Sequence, residues 1–138
     1  MKVDGACHCG SIRFEADIVP ETTSICHCTD CQTLSGSVYR ANVRTTAGGF
    51  RLLAGRPKIY VKTAESGAKR AHAFCADCGT PIYSSAVTDP QIYGLRLGTL
   101  RQRAQLKPAT MGWCRSMQPW VTDLDSLVRF EKQTTVKL

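Results

Sequence analysis

The sequence contains no apolar run approaching the roughly 18 residues that a bilayer-spanning helix requires, so a transmembrane helix is excluded and a soluble protein is expected. Its first ten residues, MKVDGACHCG, hold an acid and lack the apolar core of a secretory leader, which makes the reducing cytoplasm the expected compartment. No low-complexity segment, no block of like charges and no linker between compositionally different halves interrupts the chain, and 138 residues fit one domain spanning 1–138. No stretch sustains a 3.6-residue apolar period with caps at both ends, which argues against a helical bundle. Lys/Arg clusters with interleaved aromatics are also missing. The most basic stretch, LRLGTLRQRAQLKP, holds no aromatic residue at all, so nucleic acid is an unfavoured partner.

What the sequence has instead is short alternating or β-branched segments: SIRFEADI, SVYRANVRT, FRLLAG, KIYVKTA, AHAFC, PIYSSAV and IYGLRLGTL. The turn signals AGG, AGRP, ESG, CGTP and TDP separate them. Helical candidates are confined to the turn after CTDCQTLSG and the segment WVTDLDSLV. The pattern predicts a mainly β domain whose sheets are pinned by metal. A formal charge of +7, from 18 Lys+Arg against 11 Asp+Glu, suits an anionic substrate or partner. Metal loading tempers it, because a zinc ion with four thiolates adds about −2 and one with three adds about −1.

The pinning residues are cysteines, eight in all, at positions 7 and 9, then 26, 28 and 31, then 75 and 78, with Cys114 alone. In a reducing compartment such spacing reads as metal ligation, in preference to disulfides, buried free thiols or a C-x-x-C redox pair. In extended backbone residues i and i+2 share a face, so Cys7 and Cys9 present two thiolates together while His8 points away. CADCG supplies the other half of a tetrahedron: the C-x-x-C turn aims Cys75 and Cys78 at one ion, and Gly79 takes the dihedrals where the chain doubles back. Joined, the four make a closed structural zinc site. CHCTDC offers three thiolates, Cys26, Cys28 and Cys31, and three protein ligands with an open fourth position describe a catalytic zinc. The rival is a second closed site with Cys114 or a histidine as fourth ligand. A lone cysteine such as Cys114 is more often a small packed hydrophobe. His27, between two ligands, faces away from them in extended chain and is expected in a hydrogen-bonded structural role ahead of that of a proton shuttle; His72 has the same expectation.

These residues resemble the glutathione-dependent formaldehyde-activating enzymes, a family that includes centromere-protein-V-like proteins. GACHCGSIRFE is similar to the family's opening motif, CHCTDCQTLSGS to its cysteine triad, FRLLAGRPKIYVKTAESGAKRAHAFCADCGTPIY to its central block and QPWVTDLDSLVRFE to its closing Pro-Trp segment. The resemblance implies structural zinc at Cys7, Cys9, Cys75 and Cys78 and catalytic zinc at Cys26, Cys28 and Cys31, two ions per chain. It also implies stacked, irregular antiparallel sheets like those of methionine sulfoxide reductase B. The implied activity is that of a carbon-sulfur lyase, S-(hydroxymethyl)glutathione synthase, with glutathione and formaldehyde or a related small aldehyde as partners. The sequence departs from the family at Gln32, Thr33 and Leu34, where many members are basic, and at Gly112, where a histidine is common, with Cys114 close behind.

Glutathione is anionic, and Arg40, Arg44, Arg70, Arg96 and Arg115 are the candidates to grip its carboxylates, each competing with a solvated surface role. Tyr39 and Trp113 are candidate walls that equally fit a core. The alternative class is a non-catalytic, zinc-scaffolded module binding nucleic acid or an acidic partner.

Overall fold

The structure, a computed structural model, describes residues 1–133. It is mainly β: strands β1 Lys2–Ala6, β2 Arg13–Cys26, β3 Arg40–Ala54, β4 Lys58–Thr63, β5 Lys69–Phe74, β6 Pro81–Ser85, β7 Gly94–Arg96 and β8 Thr110–Gly112, with one α-helix, α1, at Thr29–Ser35. Alternation places the strands. In β2, Phe14, Ala16 and Ile18 are buried while Arg13, Glu15 and Asp17 face outward or lie at the margin.

Hydrogen bonding links the strands in the order β1-β2-β3-β7-β6-β5-β4, with β8 joining β2. Every pairing is antiparallel except that of β8, which runs parallel to β2 and sets Gly112 opposite Cys26. Were this sheet flat, β1 and β5 would stand five spacings apart, about 24 Å at ~4.8 Å each. Instead the cysteines following β1 and those following β5 bring their sulfurs within 4.8 Å of one another. The sheet therefore curls until its distant parts meet. Bending is supplied by three register shifts between β2 and β3, and a bridge from Gly5 to Leu100 helps hold the curl.

Inside it lie Val3, Ile12, Phe14, Ile18, Val43, Ile82, Leu95, Leu100 and Leu106, each at most 4% exposed. Phe50 stacks on Tyr93 at 4.6 Å between centroids, and both meet Tyr83 edge-on at 5.1 and 4.9 Å. Fully burying a side chain of this size contributes about 1.5–3 kcal/mol, so this core and the thiol clusters share the work of holding a short-stranded sheet.

Several elements differ from the sequence-based expectation: β1 and β8 add to the expected strands, and IYGLRLGTL is strand only at Gly94–Arg96 before a 3₁₀ turn at Leu97–Thr99. SVYRANVRT and FRLLAG belong to one strand, β3, because the glycines of AGG form a bulge and not a reversal. Gly48 has φ +68° and its N–H bonds Gln91 O at 2.9 Å, while Gly49 sits so close to Asp17 O that a Cβ there would approach to 2.8 Å. WVTDLDSLV gives only a 3₁₀ turn at Pro119–Thr122. Leu124, Leu127 and Val128 are 44, 58 and 82% exposed, so no packed face stabilises a short helix there.

Candidate metal centres

The first cluster is built from two similar turns. Cys7 N–H bonds Ile12 O at 3.1 Å and Cys75 N–H bonds Thr80 O at 2.9 Å, and each loop reverses at a glycine of positive φ, Gly10 at +79° and Gly79 at +72°. Cys7 and Cys9 thus converge through a turn and not along an extended strand, as the sequence reading had it. Sulfur separations are 3.5 Å for Cys7–Cys9 and 3.7 Å for Cys9–Cys75. A tetrahedron with ligand bonds of about 2.3 Å has edges of about 3.8 Å, so the four sulfurs fit one zinc-sized ion.

The surroundings favour the thiolate at Cys7 and Cys78 and oppose it at Cys9. Burial opposes charge on Cys7, but the Ile12 N–H at 3.2 Å and the Ser11 hydroxyl outweigh it and bring its pKa down to about 7. The Thr80 hydroxyl, 3.1 Å from Cys78, leads the causes that bring that thiol down to about 5. Cys7 and Cys75 belong to the buried core while Cys9 is exposed, so the cluster staples the ends of two strands at the edge of the core.

The second cluster, Cys26, Cys28 and Cys31, also has sulfurs within 4.8 Å of one another, and all three are half-buried. Cys26 ends β2, Cys28 caps α1, and Cys31 lies in the first turn of that helix. The cap is the cysteine itself: Cys31 N–H donates to Cys28 Sγ at 3.2 Å. Burial pushes Cys28 up, but the Cys31 thiol and N–H outweigh it and the net shift is downward. Burial and the Cys28 thiol push Cys31 up.

Among the described residues neither Cys114 nor a histidine joins this group. Cys114 is exposed, contrary to the packed role expected of it. His27 is fully buried edge-on to Tyr39 at 5.7 Å, yet neither ring nitrogen has a hydrogen-bond partner among the described residues, so the expected hydrogen-bonded role is not found.

Beside the triad opens a cleft of about 470 Å³ lined by Cys26 and Cys31, by Asn42 and His72, and by five cations, Arg40, Arg44, Lys62, Arg70 and Arg96. Among the described residues no carboxylate lines it. Register explains the assembly, because directly paired residues project from the same face of a sheet. Cys26 pairs with Arg40, Asn42 with Arg96, Arg44 with Gly94, Gly94 with Ser84, Ser84 with His72 and Arg70 with Lys62. A continuous polar band crosses the sheet from the triad to β4. Arg44 and Arg70 are exposed at its rim; Arg40 and Arg96 are buried. Arg115 lies elsewhere, stacked on Trp113 at 4.7 Å and paired with Glu65. His72 and Lys62 are cleft residues that sequence reading did not single out as such, and only the strand pairing could have found them.

A mainly β fold carrying one four-thiol and one three-thiol cluster, the latter open to a cationic cleft, defines a class of thiol-rich β proteins able to hold metal ions. Residues 2–116 match the family model described as glutathione-dependent formaldehyde-activating enzyme, and the chain belongs to that family. The match ends before the Pro-Trp segment. A crystal structure of a Rhodobacter sphaeroides protein superposes with a TM-score of 0.59 at 18% identity, covering 78% of this chain and 98% of that one, and shows the same fold.

Proposed function

We propose that the chain, as one domain, is a zinc-dependent carbon-sulfur lyase that joins a thiol, glutathione in the first instance, to formaldehyde or a related small aldehyde at the Cys26–Cys28–Cys31 cluster. The observation that carries this reading is a three-thiol cluster on the wall of a cleft; among the described residues the cluster has no fourth protein ligand and the cleft is lined by cationic and neutral side chains alone. On this reading Cys7, Cys9, Cys75 and Cys78 hold a second, structural zinc.

A zinc ion at the triad supplies Lewis acidity and favours the thiolate form of a bound thiol. The chain's own residues do the rest. The Cys28 cap and the Gln32 side chain fix the loop carrying the triad, and Arg44 and Arg70 at the rim engage carboxylates of the peptide thiol. In the addition a sulfur–carbon bond forms, the carbonyl π bond opens onto its oxygen, and that oxygen takes up the proton that the thiol gave up. This addition is facile without a catalyst, so positioning within the cleft meets most of the demand.

The test is exchange spectroscopy by NMR on the formaldehyde–glutathione adduct, with zinc-loaded protein under reducing conditions. The wild type accelerates exchange and Cys28→Ser does not. A folded, fully metallated wild type without effect removes this reaction.

A further inference from the structure

Arg40 and Arg96 pose a physical problem that the proposed reaction leaves unsolved. Each is 6% exposed, and among the described residues neither forms an ion pair. Asp30, whose carboxyl is held below its usual range chiefly by Lys62 and in smaller part by Arg40, is already hydrogen-bonded to Lys62. A guanidinium has five N–H donors in a planar fork. Arg96 spends two of them on neutral acceptors, Asn42 Oδ1 and His72 Nδ1, and among the described residues its buried Nε has no partner; the Arg40 side chain takes part in none of the hydrogen bonds among the described residues, and its nitrogens, which are not among the enclosed unpartnered atoms, are left to the cleft. Thiolates of a metal cluster offset charge but are poor acceptors for such a fork, whereas a carboxylate matches it with two parallel bonds.

From this geometry we infer that Arg40 and Arg96 form a carboxylate subsite in the depth of the cleft, beside Cys26 and Cys31. The acid that fills it belongs to one of the two reactants, either the peptide thiol or a carbonyl compound that itself bears a carboxylate. In the second case the preferred partner is a small aldehyde acid and not formaldehyde, which has no group for this subsite. The inference deepens the proposed function by naming a substrate class, and it rests on the triad being the reacting centre only for its choice of reactant.

Direct binding tests it without turnover. Isothermal titration of the zinc-loaded protein with S-methylglutathione, whose thiol is blocked, and separately with glycolate, an unreactive small acid, distinguishes the two sources. The subsite predicts that at least one of them binds, and that Arg40→Gln weakens it by about tenfold or more, the scale of a lost charge-assisted hydrogen bond. Arg40→Lys restores only part of the loss, because it returns the charge without the fork. Arg40→Gln stays folded, since among the described residues the Arg40 side chain has no ion pair to lose, and its melting temperature should match or exceed that of the wild type. Acid at a concentration that saturates the wild type then raises its melting temperature by clearly more than that of the variant. Failure of both acids to bind, equal binding by wild type and variant, or a variant that loses stability without ligand each overturns the subsite. Exchange spectroscopy reads the lyase reaction separately, so that reaction can survive the loss of the subsite.

Discussion

Arg96 Nη2 lies 3.1 Å from Nδ1 of His72, and both side chains are buried in the cleft wall. A guanidinium only donates, so His72 accepts at Nδ1 and carries its proton on Nε2, which has no partner among the described residues. Burial, followed by the charges of Arg96, Arg40 and Lys62, lowers its pKa to about 4. Proton uptake by the imidazole is thus opposed by solvent exclusion and by three cations at once.

That arrangement predicts a pH dependence of stability. A folded pKa below the unfolded value of about 6.5 means the unfolded chain binds more protons between pH 6.5 and 4, so stability falls as the pH drops through that window. The full effect is bounded by about 3 kcal/mol. Urea melts from pH 7 to 4 on wild type and His72→Asn will show a steeper decline for the wild type. Parallel curves would exclude His72 as the source.

The two thiol clusters predict different responses to mutation. Cys75 is 1% exposed and its cluster joins segments 66 residues apart, so Cys75→Ser should remove one metal ion per chain and cost more than about 4 kcal/mol, roughly 10 °C or more in melting temperature. Cys28→Ser, at the margin of the cleft, should also remove one ion but lower the melting temperature by only a few degrees. Metal analysis and calorimetry on the same samples check both; similar destabilisation by the two variants would contradict the division into a structural and an open cluster.

Gly5 carries a third prediction. It pairs with Phe14, and a Cβ at this position would stand 2.4 Å from the Phe14 ring and 2.7 Å from Thr99 O. Gly5→Ala must therefore push β1 away from the bridge to Leu100 that helps hold the curl, at a cost of about 1–3 kcal/mol. Chemical denaturation measures it, and a neutral outcome would mean that β1 moves freely.

Much of this was legible from local pattern. Strand alternation gave the class of fold, and cysteine spacing alone grouped Cys26, Cys28 and Cys31 and paired Cys7–Cys9 with Cys75–Cys78, because ligand geometry is short-range chemistry written in short-range sequence. The cleft was not legible in the same way. Arg40, His72 and Arg96 lie on three strands and meet only through the pairing order β3-β7-β6-β5, which no local signal encodes. The AGG bulge shows the converse: a glycine pair marks a backbone irregularity without saying whether the chain reverses or bends. For His27 the spacing placed the ring outside the ligand set, but nothing in CHCTDC reports that it is enclosed without hydrogen-bond partners among the described residues.

Gln32 follows the triad directly, and its contacts give it a structural role. Its Nε2 donates to His27 O at 2.8 Å and to Ser116 O at 2.9 Å, while its Oε1 accepts from Gln118 Nε2 at 3.2 Å. A single neutral amide therefore ties the triad loop to the segment after β8, using donor and acceptor together. Lysine could supply the donors but would leave Gln118 without its acceptor. Gln32→Ala should cost about 1–3 kcal/mol, since two backbone carbonyls in a partly buried setting lose their donors. Gln32→Lys should recover part of that, and Gln118→Ala alone should cost less than about 1 kcal/mol. In the double-mutant cycle of Gln32→Ala with Gln118→Ala the two losses should fall short of adding by roughly 0.5 kcal/mol or more, the mark of direct contact. Strict additivity in urea melts would show that the two amides do not hold each other, and that the segment carrying Trp113 and Arg115 is anchored to the triad by its β8 pairing and the Gln32–Ser116 bond without help from Gln118.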